Sequence, residues 1–375
     1  MHRRRAGRRV RAGALRRVID LAGLPLPPNA PPERSCVRLE RPEPGLVVLV
    51  LDPPHRSLAV FDAPLLRDLD LALDELERDA ALRALVVTGR EPLAFAAGAD
   101  VKAIAEIADP AVAARYVRAG QQVFQRLHAL SRGGGGRATV VAAVGGPVPG
   151  GACEICLACD RIVLANHEKT RIGLPEVRLG IIPGWGGSQR LPRRVGVPNA
   201  LQAILQGRLY VPYLAHKLGI VDRLAAPQDL VRIASAIALG RVPCARRERG
   251  VWSALVDRNP LALAVIRSQA RKQILAETKG HYPAPLEALE LVCAAAGTPL
   301  SRGLEREVAA VGRLSTGPIA KSLVAIFLAS EEAKKLGKRA DGSSAPAVRR
   351  GGVIGAGVMG GAIASLMAES RIDVR

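Results

Sequence analysis

Two carboxylates stand where carboxylates are expensive. Glu154 falls in Ala138–Cys159, the longest charge-poor stretch of the 375 residues. A buried carboxylate without a partner is costly, so its presence asks for a reason. Glu176 follows in Ile172-Gly173-Leu174-Pro175-Glu176, just ahead of Leu179-Gly180-Ile181-Ile182-Pro183-Gly184-Trp185-Gly186-Gly187. Two carboxyls that converge on one pocket can divide acid and base duties when their surroundings separate their pKa values. Two loops of small residues accompany them, Phe95-Ala96-Ala97-Gly98-Ala99-Asp100 and Gly150-Gly151-Ala152-Cys153-Glu154. Small residues leave backbone N–H groups bare, and two such groups at helix N-termini make an oxyanion hole. Singly, each loop also reads as a tight turn before a packed helix, and Glu154 as a carboxylate held by the helix dipole. The combination carries the functional reading.

Other residues invite chemistry less strongly. Cys153, Cys156 and Cys159 form C-x2-C-x2-C, the opening of a ferredoxin-type run, but no fourth Cys and Pro follow. On one helix the three thiols spread around it, and read best as small buried hydrophobes. The histidines show no ligand spacing, so no metal is expected. Near the end, Gly352-Val353-Ile354-Gly355-Ala356-Gly357-Val358-Met359-Gly360 is a short strand entering G-x-G-x-x-G and then a helix, a dinucleotide fingerprint with Gly355, Gly357 and Gly360 as its cofactor contacts. The acid expected about 20 positions on, for the ribose, would lie beyond Arg375. The fingerprint is therefore expected to be an incomplete NAD site, with no useful NADH binding, and Val353, Ile354 and Ile363 partly exposed.

The positioning elements follow from periodicity. Leu46–Leu51, Leu82–Thr88, Thr139–Val144 and Arg161–Ala165 read as strands, and Ala63–Ala81 and Val112–Leu130 as amphipathic helices. Strands alternating with helices make the class α/β. From about Pro227 to Lys338 the pattern is mostly helical. Residues 339–350 read as a linker.

Composition bounds the rest. With 49% hydrophobic residues the chain can bury a large core. Six cysteines are too few and too clustered for a disulfide scaffold, so a reducing cytoplasm is the default. Pro147, Pro149 and Glu154 interrupt the most apolar stretch, so no membrane span is expected. Nine Arg against Asp20 and Glu33 fall in residues 1–34, so +7 of the net +20 sits there. That start reads as a nucleic-acid arm or targeting peptide, or as a plain disordered extension or a start codon placed too early; the plain reading is preferred. Residues 24–34 read as a proline-rich linker outside any core. The remaining positive charge suits a phosphorylated ligand. The interleaved aromatics that single-strand nucleic-acid binding wants are missing, so no specific nucleic acid is expected.

Taken in order, Ala97-Gly98-Ala99-Asp100, Gly150-Gly151-x-x-Glu154, Gly173-Leu174-Pro175-Glu176, the Leu179–Gly187 run and Gln189-Arg190-Leu191-Pro192-Arg193 resemble the crotonase, or enoyl-CoA hydratase/isomerase, superfamily, over roughly Val37 to Leu224. The resemblance implies a crotonase-type ββα spiral for residues 35–225. It implies an acyl-CoA substrate whose thioester oxygen sits between the N–H groups of Ala99 and Gly151. Ala97, Gly98, Lys102 and Gly150 become substrate-binding positions. Glu154 and Glu176 become the pair that adds water to a trans-2-enoyl-CoA, with no cofactor. Isomerisation, which needs one carboxylate, and an inactive binding module are the alternatives. Three positions depart from the family pattern: Ala152 replaces a third glycine, Ala59 an asparagine, and Asn166–Arg171 is longer than usual, which bears on where Glu176 falls. The order of segments resembles fatty-acid β-oxidation multifunctional proteins, with 226–338 as helical extension and connecting region and 351–375 as the start of a Rossmann domain, truncated, so that dehydrogenase activity is expected to be absent. A homo-oligomer or a thiolase subunit is the partner that resemblance implies.

Overall fold

A computed structural model describes residues 19–246, 256–257, 259–336 and 347–375. The chain divides into two units, residues 1–324 and 325–375. The first is built on a six-stranded sheet. Strands β1 (Val37–Glu43) and β2 (Leu46–Leu51) form an antiparallel hairpin. Helix α1 (Ala63–Arg78) leads to β3 (Ala84–Gly89), which pairs parallel to β2. Two helices, α2 (Val101–Glu106) and α3 (Pro110–Leu130), precede β4 (Thr139–Val144). A short β5 (Pro147–Pro149) enters α4 (Gly151–Leu157), and β6 (Arg161–Ala165) returns to the main sheet. Then come β7 (Arg171–Gly173), α5 (Gly187–Val195), α6 (Val197–Leu205), β8 (Leu209–Tyr210), α7 (Pro212–Lys217), β9 (Arg223–Ala225) and α8 (Leu230–Ala238). The main sheet runs β1-β2-β3-β4-β6-β9 and a smaller one β5-β7-β8.

Burial of both sheet faces explains the continuous apolar strands. Val47, Leu49, Leu85, Val87, Val140 and Ala142 face the large core. Their alternates Val48, Val50, Val86, Val141 and Ala143 face a second core that α8 closes with Leu230, Ala234 and Ile237. The helical extension continues as α9 (Pro260–Thr278), α10 (Pro283–Ala295), α11 (Leu300–Thr316) and α12 (Pro318–Leu336), the last of which crosses the boundary between the units. Among the described residues no single helix is long and apolar enough to cross a membrane.

Helix starts follow from aspartates. Asp62, Asp100 and Asp109 each accept an N–H of the first turn, at Leu65, Lys102 and Ala111, satisfying donors that the helix leaves orphaned. Aspartate also ends α1 earlier than its apolar spacing suggests. Asp79 turns extended and its side chain accepts the Ala81 N–H at 2.9 Å, so the helix stops at Arg78 rather than Ala81 and the next strand starts at Ala84 rather than Leu82. Segment 24–34 is a second correction. It is not outside the core: Leu24, with Ile19 before it, is buried in the main core. The Arg67 guanidinium donates to the carbonyls of Pro31 and Pro32. Proline has no N–H to offer, so a proline-rich segment carries more backbone acceptors than donors and leaves carbonyls for such a side chain. The arginine-rich start up to residue 18, and the 339–350 linker as far as residue 346, lie outside the described residues.

In the second unit β10 (Arg350–Gly351) pairs parallel to β11 (Asp373–Val374) across α13 (Val358–Glu369). Gly355 takes a positive φ, Gly357 precedes the helix and Gly360 lies in its first turn. The side chains of Ile354, Val358, Met359, Ile363 and Leu366 are exposed. Among the described residues the glycine turn opens α13, and the two-stranded β10–β11 pairing is the sheet that accompanies it.

Candidate active site

Backbone packing brings the two small-residue loops together. The strand-like segment 59–61 pairs with the first loop: Ala97 donates to the Ala59 carbonyl at 2.8 Å and Phe61 to the Gly98 carbonyl at 2.9 Å. Alanine at position 59 therefore keeps the backbone pairing. Gly98 has φ +89°, and a Cβ there would stand 2.7 Å from the Pro149 carbonyl oxygen, so only glycine lets the loops meet. A Cβ on Gly151 would stand 3.5 Å from the Ala99 nitrogen and 2.3 Å from Cζ3 of Trp185. The Ala99 and Gly151 N–H groups thus neighbour one another, at the starts of α2 and α4, with Trp185 packed beneath.

Trp185 is a wedge. Its ring meets Phe61, Tyr116 and Phe124 edge-on, with centroids 5.4–5.8 Å away, pairs worth roughly 0.5–1.5 kcal/mol each beyond burial. The Tyr116 hydroxyl donates to the Phe61 carbonyl and accepts the Asp100 N–H, tying the wedge to the Ala99 loop. On α3 the ring fits only because residue 120 is glycine: a Cβ there would lie 2.3 Å from the indole nitrogen. Gly120→Ala is expected to destabilise the chain by about 1–3 kcal/mol through overpacking. Urea denaturation checks this; an unchanged midpoint would mean the wedge moves freely.

Both glutamates line one cleft, with about 520 Å³ of empty space, part of it continuous with solvent. Ala99 and Gly151 share it, and its apolar walls include Ile104, Ile107, Val117, Ile182 and Val311. Ala97, Gly98, Lys102 and Gly150 do not line it. Gly98 and Gly150 shape the loops, and Lys102 is exposed with its N–H on the Asp100 cap. The segment 166–171 does not carry Glu176 away, because Arg171 donates to Gly146 and Thr170 accepts from it, so β7 docks on β5.

The two carboxyls differ in their surroundings. Glu154 Oε1 accepts the N–H groups of Trp185 and Gly187, each at 2.7 Å. Burial pushes its pKa up to about 7, against the pull of those N–H bonds and the Arg190 charge. Glu176 Oε1 lies against Gly150, 2.9 Å from where a Cβ would stand, and its Oε2 has no protein hydrogen-bond partner. Burial and the neighbouring Glu154 charge hold its carboxyl well above the usual range. Cys153 and Cys156 are buried on α4, whereas Cys159, also buried, lies just past its end rather than on the same helix; the thiols of Cys156 and Cys159 donate to carbonyls four residues back.

Three site features escaped the sequence reading, all on the helical extension. Val311 and Ser315 of α11 line the cleft, and the Ser315 hydroxyl has no protein partner. The Lys321 ammonium donates to the carbonyls of Ile104, Ala105 and Ile107, closing the C-terminal end of α2. Glu307 is fully buried, and its pKa is pushed up to about 8, chiefly by burial and then by the Glu154 charge. The signal for it was available: Glu307 falls on the same helical stripe as Leu304, Val308, Val311 and Leu314.

Raised pKa values make stability fall with pH. An unfolded glutamate loses its proton near pH 4.3, whereas folded Glu154 keeps its proton up to about 7. The stability this group contributes is complete below the unfolded value and lost as pH climbs through the folded one. Glu154→Gln is therefore expected to flatten the decline in melting temperature across that window, measured by scanning calorimetry. Parallel curves for the two proteins would show Glu154 to be solvated.

A family model described as enoyl-CoA hydratase/isomerase matches residues 42–240, more than half of the chain. The chain belongs to the enoyl-CoA hydratase/isomerase family. Among curated relatives it is 36% identical to the fatty acid oxidation complex subunit alpha of Aliivibrio fischeri over 84% of this chain and 45% of the relative. It is 33% identical to that of Shewanella amazonensis over 90% and 47%. The chain thus spans about half the length of these relatives. Among solved structures, human mitochondrial delta3-delta2-enoyl-CoA isomerase superposes with TM-score 0.57 at 24% identity, covering 80% of this chain and 99% of that one, and shares the fold. An enoyl-CoA hydratase from Bacillus anthracis gives TM-score 0.50 at 25% identity, covering 80% and 96%. The α/β crotonase-type fold expected from the motifs is therefore the fold of this family member.

Proposed function

We propose that this chain hydrates trans-2-enoyl-CoA thioesters in fatty-acid oxidation. The observation that carries the reading is the pair of buried carboxyls, Glu154 and Glu176, on one apolar cleft beside the Ala99 and Gly151 N–H groups. The thioester oxygen lies between those two N–H groups, which meet the charge that develops as C2 becomes enolate-like. Glu154, gripped by two N–H donors, ionises before Glu176, so it takes the proton from water as that water attacks C3. Glu176 holds its proton longer and delivers it to C2. The two titrate as a pair, and their division of labour follows from unequal stabilisation of the charged form. The positive charge remaining outside the N-terminal segment suits the phosphates of coenzyme A. The names of the relatives favour fatty-acid oxidation and a larger complex as the setting.

Isomerisation of 3-enoyl-CoA needs only one of these carboxyls. The test is to offer the full chain crotonyl-CoA and 3-hexenoyl-CoA separately. Loss of the enoyl-thioester absorbance with formation of the 3-hydroxyacyl thioester is expected from the first. Isomerisation of the second without hydration of the first would replace this reading.

A further inference from the structure

The turn Trp185–Ser188 sits between two carboxyls. The N–H groups of Trp185 and Gly187 point to Glu154 Oε1, each at 2.7 Å. The intervening Gly186 N–H points to Glu307 Oε2 at 2.8 Å, and the Ser188 hydroxyl donates to Glu307 Oε1 at 2.6 Å. Successive donors along four residues thus alternate between a carboxyl in the cleft and one behind it. Gln121 completes the rear wall: its amide donates to Glu307 at 3.3 Å, to the Gly184 carbonyl at 2.8 Å and to the Leu304 carbonyl at 3.0 Å. Glu307 does not line the cleft.

We propose that Glu307 is a positioning residue for the acid–base chemistry, acting on Glu154 through the Trp185–Ser188 turn and on Glu176 through its own charge. The proposal rests on the reading of Glu154 as an acid–base group. Without the Glu307 acceptors, the buried Gly186 N–H and the Ser188 O–H proton lose their acceptor, although the Ser188 oxygen still accepts from Gln189, a penalty the turn relieves by shifting. A shift of the turn carries the Trp185 and Gly187 N–H groups with it, and these fix the Glu154 rotamer.

Charge is the second route. The ionisable groups acting on Glu307 are Glu154 from α4, Glu176 after β7, and Arg190 and Arg193 from α5; Gln121 from α3 is neutral. Two buried carboxyls on one short turn oppose each other's ionisation. Glu154 ionises first and its charge helps hold Glu307 protonated; once ionised, Glu307 in turn helps hold the Glu176 proton.

The experiment compares kcat and KM for crotonyl-CoA across pH in the parent chain, Glu307→Ala, Glu307→Gln and Glu154→Gln. Glu307→Ala is expected to lose about 10–10²-fold in kcat, the scale of a small misplacement of reacting groups, with KM within about twofold. Glu307→Gln keeps an acceptor for Gly186 and should recover part of that loss. Its basic limb should move to lower pH by about half a unit or more, since the Glu307 charge that helps hold the Glu176 proton has gone. That limb is the readout a merely structural role would not move, and it decides the matter if Glu307→Ala does not fold. A Glu307→Gln limb superimposed on the parent's, in a protein whose hydration Glu154→Gln abolishes, would overturn the role of Glu307 and leave that of Glu154 standing. Full activity in Glu154→Gln would overturn both.

Discussion

Replacing Glu154 by glutamine is expected to lower kcat for crotonyl-CoA hydration by about 10²–10⁴, the usual worth of a positioned acid or base. Glutamine keeps a carbonyl oxygen for the Trp185 and Gly187 N–H groups that hold Glu154 Oε1. Geometry should therefore survive while the ability to take a proton is lost. Glu176→Gln is expected to fall by a similar factor if Glu176 is the proposed proton donor, a cleft residue whose Oε2 has no protein partner. KM should change little in either case, since neither variant alters the apolar walls. The double variant should be scarcely worse than either single one, as groups that act as a unit are not additive. Stopped-flow and steady-state rates with crotonyl-CoA decide this. Undiminished hydration by Glu176→Gln would end the two-carboxylate mechanism and leave a one-carboxylate chemistry.

Gly151 carries the second large effect, and two substitutions separate its two duties. Gly151→Pro removes the N–H proposed to meet the thioester oxygen, and one such donor is worth about 10²–10³ in kcat. Gly151→Ala keeps the N–H but places a Cβ 2.3 Å from Cζ3 of Trp185, inside any real contact. Its loss is steric, so pairing it with Trp185→Leu should restore part of the rate. The Trp185 main chain, which holds Glu154, is unaltered by that change. The same partner should not rescue Gly151→Pro. Circular dichroism must confirm that each variant is folded. A folded Gly151→Pro with full activity would remove this residue from the site, and equal rescue of both variants would mean that packing alone is at stake.

Much of this protein was legible before any coordinates. The four expected strands are all present, because strands buried on both faces write themselves as unbroken apolar runs such as Leu46–Leu51. The pairing of Glu154 with Glu176, and of Ala99 with Gly151, followed from motif order. Each partner sits within three residues of an element end that the chain must place locally: β5 into α4, β7 into Glu176, the Asp100 cap into α2. Helix ends were less legible where a side chain competed with the backbone, as at Asp79. The burial of Ile19 and Leu24 was hidden because a proline-rich segment has no periodicity to reveal which face is covered.

The tertiary structure alone decided what stands behind the Glu154 carboxyl. Glu307 lies 121 residues from the Gly186 N–H it accepts, and nothing local at either position announces the other. Local sequence encodes which backbone groups an element leaves unpaired. It does not encode which distant side chain arrives to satisfy them, since that depends on how α11 packs on α3 and α5. The same packing gives the cleft Val311 and Ser315, and gives α2 the Lys321 ammonium. The residues that meet at the cleft were written in short motifs. Its supporting wall comes from the far end of the same unit, where burial of an apolar stripe drew one carboxylate inward with it.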